Sequence, residues 1–153
     1  MSRSMGFSGT RDGCTDKQLI RLAGVLSSYA PYHAHHGDCI GADDQFAHMA
    51  YRMGCEVIGH PPINQSKRAF SPYTHIWRAA KDYLPRNRDI VDESNLLVAT
   101  PKDYSPEARS GTWATIRYAQ KLLEGQVGLI VYVIYPDGSV QTDVGKGLRW
   151  EGS

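Results

Sequence analysis

Short apolar runs alternate along this chain with stretches whose apolar residues return every three or four positions, the signature of buried strands joined by one-faced helices. Residues 5–8 read as a short buried strand. Thr15 follows as a helix N-cap, with Gln18 completing a capping box and Leu19, Leu22, Ala23 and Leu26 forming the inward face. Residues 33–36 are a second, polar strand. Gly41 opens a helix that turns Ala42, Phe46, Met49, Ala50 and Met53 inward and stops at Gly54. Residues 55–59 form the third strand. A helical segment begins at Arg86-Asn87-Arg88 and ends near Glu93. The fourth strand spans 96–99, and its helix begins near Trp113, carries Ile116, Ala119 and Leu123 on one face, and ends near Gly125. Residues 127–135 are the fifth strand. Pro136-Asp137-Gly138 is a turn that lets 139–142 fold back as a hairpin, and the tail from Gly145 is expected to be loose.

Strands alternating with helices predict one Rossmann-like α/β domain over residues 1–153. It has three layers, α/β/α, around a mostly parallel sheet of about five strands, with the C-terminal hairpin as an addition. Residues 60–85 break the rhythm and read as a functional loop or lid, or as an unrecognised element. The chain is long enough for a core of its own, and 41% apolar against 22% charged residues excludes disorder. No apolar stretch approaches the ~20 residues of a membrane span, and no secretory h-region precedes the first strand, so a cytoplasmic protein without membrane partners is expected. Net charge is +1, which argues against nucleic acid as the main partner. Three cysteines (Cys14, Cys39 and Cys55), none in C-x-x-C spacing, argue for reduced thiols rather than disulfides or zinc.

Open parallel sheets bind ligands beyond the carboxyl ends of their strands, and three small-residue junctions lie at that edge. The first is Ser8-Gly9-Thr10-Arg11, where Gly9 permits close approach, Thr10 offers a hydroxyl and Arg11 a planar fork for phosphate or carboxylate. The second runs from Gly37 and Asp38 to Gly41, Ala42 and Asp43. Asp43 near a helix start is either a dipole-stabilised structural acid or an acceptor for ribose hydroxyls. The third is Arg109-Ser110-Gly111-Thr112, which brings free backbone N–H groups to a helix start, either as an anion cradle or as an ordinary cap. Arg86 and Asn87 follow the irregular segment. Cations at a helix N-terminus oppose its dipole, which favours a ligand role for them.

Other residues invite chemistry with weaker grounds. His33 and His35 share one face of the second strand and His36 opposes them, an arrangement better suited to a crevice rim than to a metal, which would need a further ligand from elsewhere. No metal or cofactor is expected. Tyr73, Trp77 and Tyr83 could stack on a base or pack in a core or subunit interface. Cys14 and Cys39 fall in the site loops, but spacing places no base beside either.

Taken together, Gly9-Thr10-Arg11, the run from Gly37 through Ile40, Gly41, Ala42 and Asp43, then Arg86-Asn87-Arg88-Asp89-Ile90-Val91-Asp92 and Ser110-Gly111-Thr112 resemble the SLOG superfamily. This is the Rossmann-like group that includes the Lonely-guy phosphoribohydrolases and DNA-processing protein A, and the likeness covers roughly residues 5–133, closest to a small stand-alone branch. The resemblance implies a nucleotide-type ligand held by phosphate and ribose at the strand tips, and a homo-oligomer, often a dimer. Some members hydrolyse N-glycosidic bonds of nucleotides, and others sense nucleotide-derived signals, including cyclic ADP-ribose-like molecules. The hydrolases carry P-G-G-x-G-T-x-x-E, and Thr115 stands here where that Glu belongs. Threonine cannot supply a carboxylate for acid–base work. The expectation is therefore a sensor or sequestering protein with no catalytic residue of its own, and the alternative is an N-glycosidic hydrolase or transferase with a relocated carboxylate.

Overall fold

A computed structural model describes residues 3–106, 109–125 and 128–145. The chain order of its strands and helices is β1 (Ser4–Gly9), α1 (Asp16–Tyr29), β2 (His33–His36), α2 (Ala42–Arg52), β3 (Glu56–Gly59), β4 (Ile76–Trp77), α3 (Tyr83–Asp92), β5 (Leu96–Thr100), α4 (Gly111–Leu122), β6 (Ile130–Ile134) and β7 (Val140–Val144). Among the described residues the strands form one sheet in the order β4-β3-β2-β1-β5-β6-β7. Every pairing is parallel except β6 with β7. The chain winds outward from β1 through β2 and β3, then crosses to β5 on the other side. The reversal leaves a crevice above the carboxyl ends of β1 and β5.

Period-two alternation sorts the strand residues to the two faces. Leu96 and Val98 of β5 join Met5 and Phe7 in a core with Leu22 and Leu26 of α1 and Phe46 and Ala50 of α2. Leu97 and Ala99 join Val131 and Val133 against Ile90 of α3 and Trp113 and Ile116 of α4. The three-layer α/β/α architecture is thus as expected, with Phe7 stacked on Phe46 at 4.5 Å between ring centroids.

Local departures have identifiable causes. Thr15 caps α1 with the full box, but the buried face is Gln18, Leu22, Val25 and Leu26. Gln18 points inward because its amide nitrogen donates to Pro101 O (3.0 Å) and Ile134 O (2.9 Å), while its Oε1 accepts from Thr15 N. Met53 lies beyond α2 and is exposed, and Met49 is only half-buried. α3 begins at Tyr83 rather than Arg86. Pro85 sits in its first turn, where a missing N–H costs nothing. α4 begins at Gly111, two residues before Trp113. The hairpin is present as β6 and β7, whereas Val127 and the tail beyond Gly145 lie outside the described residues.

The sheet also gains a strand that the pattern did not announce. Within residues 60–85, the two-residue β4 pairs with β3, and a bridge joins Cys39 to Arg68. This segment is held against the sheet edge by Asp38. Its carboxylate, fully buried, accepts from Arg68 Nε (2.5 Å), Phe70 N (3.2 Å) and Ser71 N (2.9 Å). Arg68 in turn lies over the rings of Phe70 and Trp77. Of the β2 histidines, His35 and His36 are buried rather than at a rim, while His33 stays partly exposed with its Nε2 3.1 Å from Glu56 Oε1. His36 Nδ1 accepts from Asp38 N and its Nε2 meets Thr74 Oγ1 at 2.8 Å, while His35 Nδ1 meets His60 Nε2 at 2.9 Å. Strand positions in the middle of a covered sheet are dry, so polar residues there survive only when bonded.

Candidate functional site

A cleft of about 640 Å³ opens at the crevice above β1 and β5. It brings together residues 8–11 at the end of β1, Gly37 and Asp43 at the β2–α2 junction, Arg86 and Asn87 of α3, and residues 109–112 at the start of α4. Asp38, Gly41 and Ala42 do not line it. Asp38 faces away to hold residues 68–71. Gly41 and Ala42 lock the first two junctions together. Gly41 has φ +89°, and a Cβ there would collide with the Arg11 carbonyl. Ala42 N donates to Thr10 O at 3.0 Å. Gly9 serves the same junction, since a Cβ on it would run into Ala42 Cβ and Thr100 Oγ1. Its lack of a side chain answers packing first.

The third junction is built differently. Ser110 caps α4 by accepting from Trp113 N at 3.0 Å. Gly111 and Thr112 are the first two helical residues, whose N–H groups have no carbonyl in a preceding turn. A Cβ built on Gly111 meets only Asn87 Nδ2, at 4.0 Å, so the space beside this helix start is open. Cap and cradle are therefore compatible here: Ser110 satisfies Trp113 and leaves the two preceding amides. Thr115 faces elsewhere. It is buried, its hydroxyl donates to Gly111 O at 2.9 Å, and it lines not the cleft but an adjoining groove between α3 and α4 that shares Leu84 and Asn87 with it.

Cations dominate the cleft wall. Arg11, Lys67 and Arg109 are exposed on it, and Arg86 is buried beneath. Of the two lining acids, Asp12 pairs with Lys102 at 2.8 Å. Arg86 acts as a cross-link: one terminal nitrogen donates to Gly37 O and His60 O, Nε donates to Asn87 Oδ1 (2.7 Å), and the other terminal nitrogen reaches Cys39 Sγ (3.8 Å). It ties the loops after β2 and β3 to α3. Its placement in the second turn of α3 removes the conflict with the helix dipole on which a ligand role had been argued.

Asp43 is the second lining acid. Its Oδ2 accepts from Cys39 N at 3.2 Å, and its Oδ1 is buried with no hydrogen-bond partner. Burial pushes this carboxyl up to about 6, with the Arg86 charge and the backbone N–H groups of Cys39 and Gly9 pulling it partly back. Cys39 also lines the cleft, and Cys14 donates to Thr100 Oγ1 beside it. Burial raises both thiols above the ordinary range, which keeps them protonated and disfavours a nucleophilic role.

Lys67 and Leu84 belong to the lining as well, although the sequence gave no hint of them, and they are joined by Ile40 of the second junction and by Tyr83, one of the aromatics that could stack on a base. Lys67 is brought in because Ile40 N donates to its carbonyl at 2.9 Å. Of the aromatics in the irregular segment, only Tyr83 reaches the cleft. Tyr73 stacks on His48 at 4.2 Å, and Trp77 packs against His36 and Arg68.

No family model matches the chain, and no curated protein does either. Solved structures do match. The molybdenum cofactor binding protein of the phototrophic bacterium Rippkaea orientalis aligns with a TM-score of 0.65 at 17% identity, over 88% of this chain and 77% of its own. The structural-genomics target TM1055 aligns at 0.58 and 15% identity, over 79% of this chain and 70% of its own. DNA processing protein A (DprA) of Streptococcus pneumoniae aligns at 0.58 and 14% identity, over 87% of this chain and 50% of its own. DprA has the fold named by the ordered motifs, and it is recovered here from shape alone. The chain has the Rossmann-like α/β fold of these structures, the fold expected of the SLOG group that its ordered motifs resemble. In this fold the glycine-bearing junctions fall at the topological switch point, and among the described residues no helix is long and apolar enough to cross a membrane.

Proposed function

We propose that the chain captures a nucleotide-derived small molecule, with phosphate against Gly111, Thr112 and the cleft cations and ribose against Asp43. One observation carries this reading. Three junctions separated in sequence converge on one cleft that offers unbonded helix-start amides, an arginine-rich wall and a buried acceptor without a donor. Phosphates meet the first two and sugar hydroxyls the third. Tyr83 and Leu84 offer flat and apolar surface to a base. That one structure of this fold belongs to a molybdenum cofactor binding protein supports small-molecule capture as a use of the fold. The ligand class includes linear and cyclic ADP-ribose-type signals, and the protein acts as a cytoplasmic sensor or sequestering homo-oligomer.

Native mass spectrometry of the purified protein, with a thermal-shift panel of mono-, di- and cyclic nucleotides, tests this. Ligand at 100 times its Kd adds about 2.7 kcal/mol to stability. A panel that leaves the melting temperature unmoved, with no co-purifying mass, defeats the reading. A second reading, N-glycosidic cleavage, is favoured by Asp43 alone, because a carboxyl titrating near 6 suits proton transfer at neutral pH. It requires free base and ribose phosphate to appear during incubation with nucleotides, and the release to vanish in Asp43→Asn.

A further inference from the structure

The buried histidines of the sheet interior form a group that the cleft does not use. His35 on β2, His60 just after β3 and Glu93 at the C-cap of α3 come from three different elements, and none of them lines the cleft. Their ligand atoms all lie within 4.8 Å of one another. His60 Nε2 is the hub, 2.9 Å from His35 Nδ1 and 3.8 Å from Glu93 Oε2. Both imidazoles are 2% exposed. Glu93 is about a third exposed and gives the group its opening to solvent.

The partners already made leave the right atoms over. Arg78 places both Nε (3.2 Å) and a terminal nitrogen (2.7 Å) on Glu93 Oε1. Oε2 therefore faces His60 beyond hydrogen-bond range. We propose that His35 Nδ1, His60 Nε2 and Glu93 Oε2 bind one divalent transition ion of the zinc class, stapling β2, β3 and α3 together. Two imidazole nitrogens and one carboxylate oxygen are a borderline donor set of the kind zinc accepts, with water completing the tetrahedron. Tetrahedral zinc with bonds near 2.0–2.1 Å separates its donors by about 3.3 Å. Two of the three separations, 2.9 and 3.8 Å, bracket that edge and the third lies within 4.8 Å, so side-chain rotations suffice to close the set without backbone movement. The imidazole that carries the shared proton turns to its other tautomer, and both rings then present lone pairs to the metal. Burial holds both rings neutral, pushed down to about 3, which is the form that ligates.

The site adjoins the cleft through one bond: Arg86 donates to the His60 carbonyl and also to the Gly37 carbonyl at the cleft wall. The test is titration of Zn²⁺ into chelator-stripped protein, read by calorimetry. One equivalent is expected, with affinity falling at least about 10–100-fold in His60→Gln and Glu93→Gln, the loss that follows from disturbing even an outer-shell partner of such a site. His48→Gln, which alters a half-buried histidine on α2 away from the group, should bind as the wild type does. Because a buried substitution can unfold the chain, Co²⁺ is also added to unaltered protein, where the visible bands of a four-coordinate ion are expected. Glu93→Gln, at a half-open position, should weaken those bands without lowering the melting temperature of the metal-free protein. Absence of stoichiometric Zn²⁺ binding, or binding unchanged in Glu93→Gln and His60→Gln, overturns the proposal. Neither result bears on nucleotide capture.

Discussion

Replacing Asp43 with asparagine isolates an uncommon piece of energetics. In the folded chain this carboxyl titrates near 6 rather than 3.8, with burial as the largest cause. The folded state therefore holds the proton to higher pH than the unfolded state. Between about pH 4 and pH 6 the folded state binds more protons, and the contribution of Asp43 to stability falls as pH rises through that window. Above it, the displacement amounts to about 3 kcal/mol of destabilisation. Asparagine keeps an oxygen for the Cys39 amide and carries no charge to desolvate. Asp43→Asn should match the wild type below pH 4 and exceed it by up to about 3 kcal/mol above pH 7, or roughly 6–12 °C in melting temperature at this chain length. The buried histidines shift with pH in the opposite sense, but they are common to both proteins and cancel in the difference. Urea unfolding of the pair from pH 3.5 to 8 is the assay. A difference that is flat with pH, or a variant less stable at pH 7.5, would refute the reasoning. A variant that is more stable but no longer binds nucleotide would mark Asp43 as an acceptor kept for the ligand at the expense of the fold.

Further outcomes follow from the same contacts. Arg11→Ala, at an exposed position on the cleft wall, should weaken a phosphate-bearing ligand by about 10–100-fold through loss of a charge-assisted bond, with the melting temperature unchanged. Gly111→Val has room for its side chain and should fold normally while blocking the helix start, so unchanged affinity in both variants would displace the site. Asp38→Ala leaves Arg68 and two amides without their acceptor and should cost about 3–5 kcal/mol, with faster hydrogen exchange at Phe70 and Ser71. His35, His36 and His60 are pushed down to about 3 in the folded chain by burial. The unfolded state thus takes up protons first, and stability present above pH 6.5 should be lost as pH falls toward 3, measurable as an acid transition in circular dichroism.

The α1 cap, the three small-residue junctions and the mostly parallel α/β class were legible, the caps because they rest on short-range chemistry. Thr15 and Gln18 form their box within four residues, and Ser110 needs only Trp113 N. What escaped was set by partners distant in sequence. Gln18 looks polar and outward until Pro101 and Ile134 supply its acceptors. Pro85 follows Leu84, a position biased against helix, so the true start of α3 at Tyr83 is masked. β4 has two residues, too few for a period, and owes its place to the Asp38–Arg68 pair. Asp38, Gly41 and Ala42 share motifs with lining residues, and only tertiary geometry separates those that hold the cleft from those that face it.

That separation bears on capture against cleavage. Two buried charged side chains beside the cleft, Arg86 beneath its wall and Asp38 facing away from it, spend most of their hydrogen bonds on backbone carbonyls and amides rather than on open space. They fix the positions of Gly37, His60 and residues 68–71, so the segment 60–85 is fastened to the sheet rather than built as a lid. A cleft fixed in this way suits binding, because groups held before the ligand arrives need no ordering afterwards. By the motif resemblance Thr115 stands where the hydrolases carry a glutamate, and its hydroxyl is committed to Gly111 O in the α3–α4 groove. Restoring a glutamate there would put a carboxylate into that groove and not into the cleft. Acid–base catalysis in the cleft is best placed at Asp43, the lining acid whose buried Oδ1 has no partner. Thr115→Glu should therefore leave nucleotides intact, and base release from that variant would show that the groove and the cleft are one site.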